Sequence, residues 1–497
     1  MTVDVIVVGG GPVGLMTAAL LDAAGVRVEV YERNAEPDRE SRATTVHPRT
    51  LEVLTMLELD GRRVSDILVA QGNRVPHAHF AMLPERLDYR GLDTPFPFVL
   101  MIPQWRTEQA LAEYLRARAI PVHLGAEATE VAQSADGVRI RVGGAEHTAR
   151  YLVGADGAHS LVRKASGIEF VGIAPTMVGF VADVRLTEPV AAARYFWRDT
   201  AGHAAVVPLS DGIFRVFGIE ATDAGLSAER ARARQAEPFS LAELRAALIR
   251  ICGSDFGLDS ALWQSRSSNS SRHAARYREG RILLVGDAAH VHLPAGGQGL
   301  NVGLQDATNL AWKLAAEIHG WAPDRLRTGE SGYDGERRPI AERLLANTLA
   351  QDALMHTFTP AGAALRDMVN GFIARRGEVA ADLAAWLSGL GVGYPRPDGA
   401  HPLVGTKAPD TALAEGTLLR TLRPDRFLLL DFTGELTGLG SARVAVVTAQ
   451  RPAGWDTLCA ALIRPDGHVA HAAETTDGLA AEIAAWTEPD SHLAPVA

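Results

Sequence analysis

The chain has 497 residues, 47% of them hydrophobic and 22% charged, and a net charge of −10. That length predicts two or three domains, and no apolar run nears the roughly 20 residues of a membrane span. The acidic balance, with no basic block, argues against nucleic acid as a partner, and Cys252 and Cys459 form no C-x-x-C pair, so redox work needs a bound cofactor.

The chain enters a strand at Asp4 with no basic leader, which predicts a cytoplasmic protein. Residues 3–8 read as a buried parallel strand, followed by Gly9, Gly11 and Gly14 in G-x-G-x-x-G spacing, a helix stopped at Gly25, and a second strand over 26–31 ending at Glu32. In such a βαβ unit Gly9 allows the tight turn, Gly11 lets a pyrophosphate approach the backbone, and Gly14 packs helix on strand. Glu32, 18 residues after Gly14, is placed to accept from a ribose hydroxyl. The unit alone does not separate FAD from NAD.

A helix is predicted over 48–59, short strands and loops over 62–99, and a second helix over 107–118 with Thr107 as its N-cap. Gln104 and Arg106 precede that helix, where they either reach a ligand or cap the surface. Residues 122–142 read as a strand pair turning at Asp136-Gly137, and 151–153 as a strand running into Asp156-Gly157, a phosphate-friendly turn or an ordinary loop. Short β-type runs from 178 to 220 predict an antiparallel sheet able to wall a pocket, with Tyr195, Phe196, Trp197, Phe214 and Phe217 mostly in its core and a minority facing a flat substrate. The facing of Arg194, Arg198 and Arg215 is open. A helix over 240–250 and a strand near 258–266 complete this insertion.

Residues 281–285 form another buried strand, running into Gly286-Asp287, and the glycines 296, 297 and 299 open a long helix whose N–H groups face an anion. Asp287 stands where a ribityl chain could hydrogen-bond. Residues 330–390 read as helical, 394–409 as a Pro/Gly-rich linker, and the rest as four short strands and a helix. His290 and His292, spaced i, i+2, do not share a helix face, so no metal is expected.

Taken together, Gly9 to Gly14, Glu32-Arg33, Arg42, Gln104 with Arg106, Asp156-Gly157, and Gly286-Asp287 through Asn301 make a sequence that resembles the class A FAD-dependent monooxygenases of the para-hydroxybenzoate hydroxylase fold. The resemblance covers nearly the whole chain and points to the polyketide, phenol and rifampicin hydroxylase branch. It implies an α/β fold with a GR2-type Rossmann-like FAD-binding domain over 1–75, 100–177 and 265–393. An inserted antiparallel-sheet substrate domain would cover 76–99 and 178–264, and a thioredoxin-like domain without redox cysteines 394–497.

By the same resemblance FAD is bound non-covalently. Gly9, Gly11, Gly14, Glu32, Arg33 and Arg42 hold its adenosine half, with Pro12, Val13, Ala128, Gly286 and Gly297 in the same cofactor site. Gln104, Arg106, Asp287, Pro294, Gly299, Leu300 and Asn301 surround ribityl chain and isoalloxazine, and Asp156-Gly157 touches both FAD and a transient NADPH or NADH. The implied reaction uses O₂ to hydroxylate a bulky aromatic or polyketide substrate through a flavin C4a-hydroperoxide. Baeyer–Villiger insertion, dehydrogenation and ligand sequestration are the alternatives, a homodimer is the candidate assembly, and no residue is identified as the catalytic base.

Overall fold

The computed structural model describes residues 3–37, 43–188, 190, 195–209 and 212–489; Arg42 and Arg194 lie outside the described residues. Strand β1 (Val3–Val8) leads into α1 (Pro12–Ala23) and β2 (Val28–Tyr31), and later come α2 (Gln104–Ala117), β3 (Val122–His123), β4 (Ala128–Gln133), β5 (Val138–Val142) and β6 (Ala145–Gly154). β1 lies between parallel partners, in register Val8↔Tyr31 with β2 and Val8↔Gly154 with β6. β6 divides its far edge: residues 145–149 pair antiparallel with β5, and residues 152–154 pair parallel with Ile282–Leu284. The apolar run Val5–Val8 of β1 follows from cover on both faces of the sheet.

The insertion is a five-stranded antiparallel sheet of β7 (Val178–Leu186), β8 (Phe196–Arg198), β9 (Gly202–Pro208), β10 (Ile213–Glu220) and β11 (Leu258–Ser268), in the order β8-β9-β10-β7-β11. Helix α3 (Leu241–Cys252) covers one face. Ser240 caps it by accepting from the Glu243 amide, and Gly253 ends it in the left-handed region. Alternate side chains follow the two-residue period of a strand: Ala204 and Val206 pack with Leu244 and Leu248, while Ala205 and Ile219 join the cluster of Met82, Leu293 and Leu387.

Strand β12 (Ile282–Leu284) precedes helices α4 (Gly299–Ile318), α5 (Tyr333–His356), α6 (Pro360–Arg375) and α7 (Gly377–Ser388). The carboxyl-terminal sheet has the order β14-β13-β15-β16, from β13 (Phe427–Asp431), β14 (Val444–Thr448), β15 (Ala460–Ile463) and β16 (Val469–Ala473), and helix α8 (Leu479–Thr487) follows. No described helix is long and apolar enough to cross a membrane.

Three local expectations change. The helix predicted over 48–59 is Pro48–Leu54, because a hairpin of Glu58–Leu59 with Arg62–Arg63 turns at Asp60 and Gly61, both at positive φ. α2 starts at Gln104 after Pro103, so Gln104 and Arg106 occupy its first turn, and Thr107 is a buried interior residue instead of the N-cap. Helix Ala228–Ala236 is a further departure, because its run AERARARQA has no apolar stripe to mark it.

The segment read as a linker is packed against the body. Tyr394 is buried under His468, with ring centroids 4.2 Å apart. Beside it Glu336 of α5 accepts from Arg464 (2.6 and 2.8 Å) and from Lys313, and Arg464 also reaches Asp466. All four charged groups are buried, so each depends on its partners. Glu336→Ala leaves buried Lys313 without its carboxylate and Arg464 with Asp466 alone, and is expected to cost roughly 3–5 kcal/mol in urea unfolding; an unchanged midpoint would show that this cluster does not hold the carboxyl-terminal sheet in place.

Candidate active site

Three loops leave the carboxyl ends of the parallel strands β1, β6 and β12, the edge at which open α/β sheets bind ligands. They line one cavity of about 2540 Å³. Gly9 has φ +111°, and a Cβ there would lie 2.3 Å from Ala155 O; a Cβ on Gly14 would lie 2.0 Å from Gly9 O. Both glycines are therefore needed for backbone packing. Gly11 differs: it has φ −71°, its Cβ position meets no protein atom within 4 Å, and it lines the cavity, so the space beside it suits a ligand.

Two helices start on this cavity, α1 after Gly11 and α4 after Gln298, and neither has a side-chain cap. Their first-turn N–H groups and positive dipole ends offer two anion-seeking positions to a single elongated molecule. A diphosphate and a flavin ring edge are groups of the right kind, so these residues fit FAD.

Of the residues singled out from the sequence, Gly11, Pro12, Val13, Glu32, Arg33, Gln104, Arg106, Gly157, Asp287, Pro294, Gly297, Gly299 and Leu300 line the cavity. Glu32 accepts from the amides of Gly10 (2.6 Å) and Asn34 (2.8 Å), which pins its carboxylate beside the first loop. A carboxylate accepts about four hydrogen bonds, so capacity for a ribose hydroxyl remains. Gln104 accepts from the Ala43 amide at 3.1 Å and donates to Glu108 at 2.7 Å, and Arg106 stacks on Trp105.

The others stand behind the wall. Asp156 turns its carboxylate to Ser160 Oγ and the Val162 amide, starting the short helix Leu161–Ala165. Gly286 packs on Val13, whose methyl group lies 3.1 Å from its Cβ position. Asn301 is buried: it accepts from the His47 amide at 2.7 Å and donates to Thr45 O and Gly297 O, stapling that strand to the glycine loop. Ala128 sits on β4, partly buried against the core.

The far wall is the antiparallel sheet, where Tyr195, Phe214 and Phe217 line the cavity. Trp197 instead packs on the α3 side. The forked guanidinium of Arg215 closes on Asp183 at 2.7 and 2.8 Å, and Arg198 donates to Thr357 O at 2.9 Å. The stretch read only as short strands and loops contributes Asn73, His79, Met82, Arg86 and Val99, and His47, His203 and His356 join them. No periodicity marks these positions; His47, Asn73 and Val99 are brought together because Thr45–Val46 and Asn73–Val75 both pair with Val99–Met101.

His47 Nε2 donates to Gly296 O at 2.8 Å, and burial lowers its pKa to about 4. Burial does the same to His79, helped by the nearby charge of Arg86, and to His292, so the cavity presents neutral imidazoles.

Residues 2–348 match the FAD binding domain family, and residues 401–489 match the aromatic-ring hydroxylase carboxyl-terminal family. The chain belongs to the FAD-dependent aromatic-ring monooxygenases. It is 41% identical to the uncharacterized aromatic compound monooxygenase YhjG of Bacillus subtilis, over 96% of this chain and 95% of the relative. It is 38% identical to the 12-dehydrotetracycline 5-monooxygenase/anhydrotetracycline 6-monooxygenase of Streptomyces rimosus, over 98% and 99% of the two chains. The solved structure of the anhydrotetracycline hydroxylase OxyS from Streptomyces rimosus superposes with a TM-score of 0.88 at 38% identity, covering 99% of this chain and 100% of the other.

Two tests of this monooxygenase follow from the geometry. Gly11→Ala is expected to fold like the wild type yet bind FAD at least about tenfold more weakly, about 1.4 kcal/mol, whereas Gly14→Ala should lower the unfolding midpoint of the apoprotein. Equal FAD affinity in Gly11→Ala, read by fluorescence quenching, would show that the space beside Gly11 is not the ligand's.

The second test concerns acid. Folded His47 takes its proton near pH 4 and an ordinary imidazole near 6.5. Between those values the unfolded chain binds the extra proton, so stability falls as pH drops through that window. His47→Gln should remove about one proton from the slope of unfolding free energy against pH near pH 5, measured by urea unfolding; an unchanged slope would place His47 outside the buried neutral set.

Proposed function

We propose that this monooxygenase hydroxylates a bulky, multi-ring phenolic or polyketide compound in the cytoplasm, with FAD resident and NADPH or NADH docking transiently. The observation that carries this reading is the single cavity running from two uncapped helix starts to the aromatic face of the antiparallel sheet. Its volume, about 2540 Å³, exceeds the roughly 300–1,000 Å³ of a pocket for one small ligand, leaving space for a large substrate beside FAD. The tetracycline-type compounds named for its relatives agree with that size.

On this reading the amides after Gly11 receive the pyrophosphate, Glu32 the ribose, and Asp287 the ribityl chain. Amides at Gly299 and Leu300 would face the ring edge where negative charge develops on reduction. Bound FAD supplies electron uptake from the nicotinamide and the activation of O₂. The chain's own share is to hold the substrate ring against the flavin side of the cavity and to keep water out. Arg215 is paired with Asp183, and Arg198 is not among the residues that line the cavity, so neither serves as a clamp for a small benzoate, which favours a phenol held mainly by apolar burial.

The deciding assay follows NADPH oxidation and product mass with multi-ring phenols and with monocyclic benzoates. Coupled hydroxylation of the former is expected; tight coupling with benzoates and no response to multi-ring phenols would overturn the substrate assignment. Asp287→Ala should weaken FAD binding by roughly 1–3 kcal/mol with the fold retained, and wild-type affinity in that variant would remove Asp287 from the site.

A further inference from the structure

The sheet carries a histidine for which the cofactor end of the cavity has no use. His203 on β9 is 2% exposed and lines the cavity, and its Nε2 lies 3.0 Å from Nε2 of His356 at the end of α5. His356 Nδ1 lies 2.5 Å from Asp352 Oδ1.

Proton positions along this chain follow from its far end. Asn269 Oδ1 accepts from the amides of Thr176 (2.9 Å) and Met177 (3.2 Å), so its Nδ2 is the donor that meets Asp352 Oδ2 at 2.8 Å. An ionised Asp352 only accepts, so His356 carries its proton on Nδ1, and the Nε2 of a neutral His356 accepts. His203 therefore donates from Nε2. Its Nδ1 is left as a bare lone pair, and that atom is buried with no partner among the described residues. Interiors rarely keep such an acceptor unless a ligand or water is to meet it.

We propose that His203 is the base for a substrate hydroxyl, with His356 and Asp352 as the relay behind it. This rests on the phenolic substrate proposed above. The substrate O–H bond breaks as an N–H bond forms at His203 Nδ1. The His203 Nε2–H bond then breaks as one forms at His356 Nε2, and the resulting imidazolium lies against the Asp352 carboxylate. One proton has moved and no electron has. The substrate is left as a phenolate, whose ring carbons are more electron-rich and better suited to attack an electrophilic oxygen.

The surroundings favour passing the proton on. Arg198 lies directly across the β8–β9 pair from His203, and Arg366 approaches from α6. Burial first, then the charges of His356, Arg198 and Arg366, hold His203 well below its ordinary pKa, so a resident imidazolium at this position is opposed. The rings of Phe196, at 5.6 Å, and Phe358, at 6.3 Å between centroids, pack beside the imidazole. Positive charge is instead tolerated one residue further, where His356 has Asp352 beside it.

The test uses the FAD-loaded full chain and 1,2-dihydroxyanthraquinone, a multi-ring phenol whose absorption moves to the red on ionisation. Bound to the wild type, the dye should ionise at least about one pH unit lower than when bound to His203→Gln. Asp352→Asn, which leaves the cavity wall in place, should shift the titration in the same direction by less. Equal titration of the bound dye in all three proteins would overturn the relay. A wild type that binds neither this dye nor other hydroxyanthraquinones would overturn the multi-ring phenol reading and the relay with it.

Discussion

The buried carboxylate of Asp306 is the interaction on which the cofactor end of the cavity depends. Its Oδ1 accepts from Arg337 at 2.7 Å, and its Oδ2 lies 2.8 Å from His290 Nε2 and accepts the Gly286 amide at 3.3 Å. Arg337 also donates to Val302 O in the first turn of α4. One acid thus ties the loop after β12, the strand His290–Val291 and helices α4 and α5 to one another. Burial alone would raise its pKa; the charges and hydrogen bonds of Arg337 and His290 outweigh that and keep it ionised. An isolated charge at this depth would be far too costly, so the four groups stand or fall together.

The carboxyl-terminal sheet acts on the cavity from outside it. No described residue beyond His356 lines the cavity. Yet the backbone oxygen of Asp466 accepts from Arg49, and Glu52 holds both Arg49 and Lys407 at 2.9 Å. Arg49 lies in the helix that starts at Pro48, and the preceding residue, His47, bonds through its amide to Asn301 and through its ring to Gly296. The sheet therefore braces a cavity wall through two residues of continuous backbone.

Neutral imidazoles at His47, His79 and His292 suit an interior meant to exclude water around a large aromatic guest. His79 Nδ1 accepts the Met82 amide and His292 Nδ1 donates to Leu293 O, so a donor at His79 Nε2 and an acceptor at His292 Nε2 remain for a compound that carries carbonyl and hydroxyl groups, without burying net charge. The fixed positive charge of Arg86 stands at the same end, held by Leu83 O and the Tyr195 hydroxyl.

By itself the sequence determined the parts whose physics is local. The glycine spacing at Gly9, Gly11 and Gly14, the apolar strands before Gly9 and Gly286, and the helical period after Gly299 each record a backbone requirement within a few residues, and each recurs in the structure at its expected place. What only the tertiary structure decided is which side chains face the cavity. Asp156 reads as a ligand contact and is spent on a helix start; Asn301 reads likewise and is a staple between Gly297 and Thr45. His203, His356 and Asp352 carry no motif, because a strand and a helix separated by about 150 residues meet there only after the antiparallel sheet has closed over α5. Local sequence records conformational need, whereas convergence of distant polar groups is set by how whole elements pack.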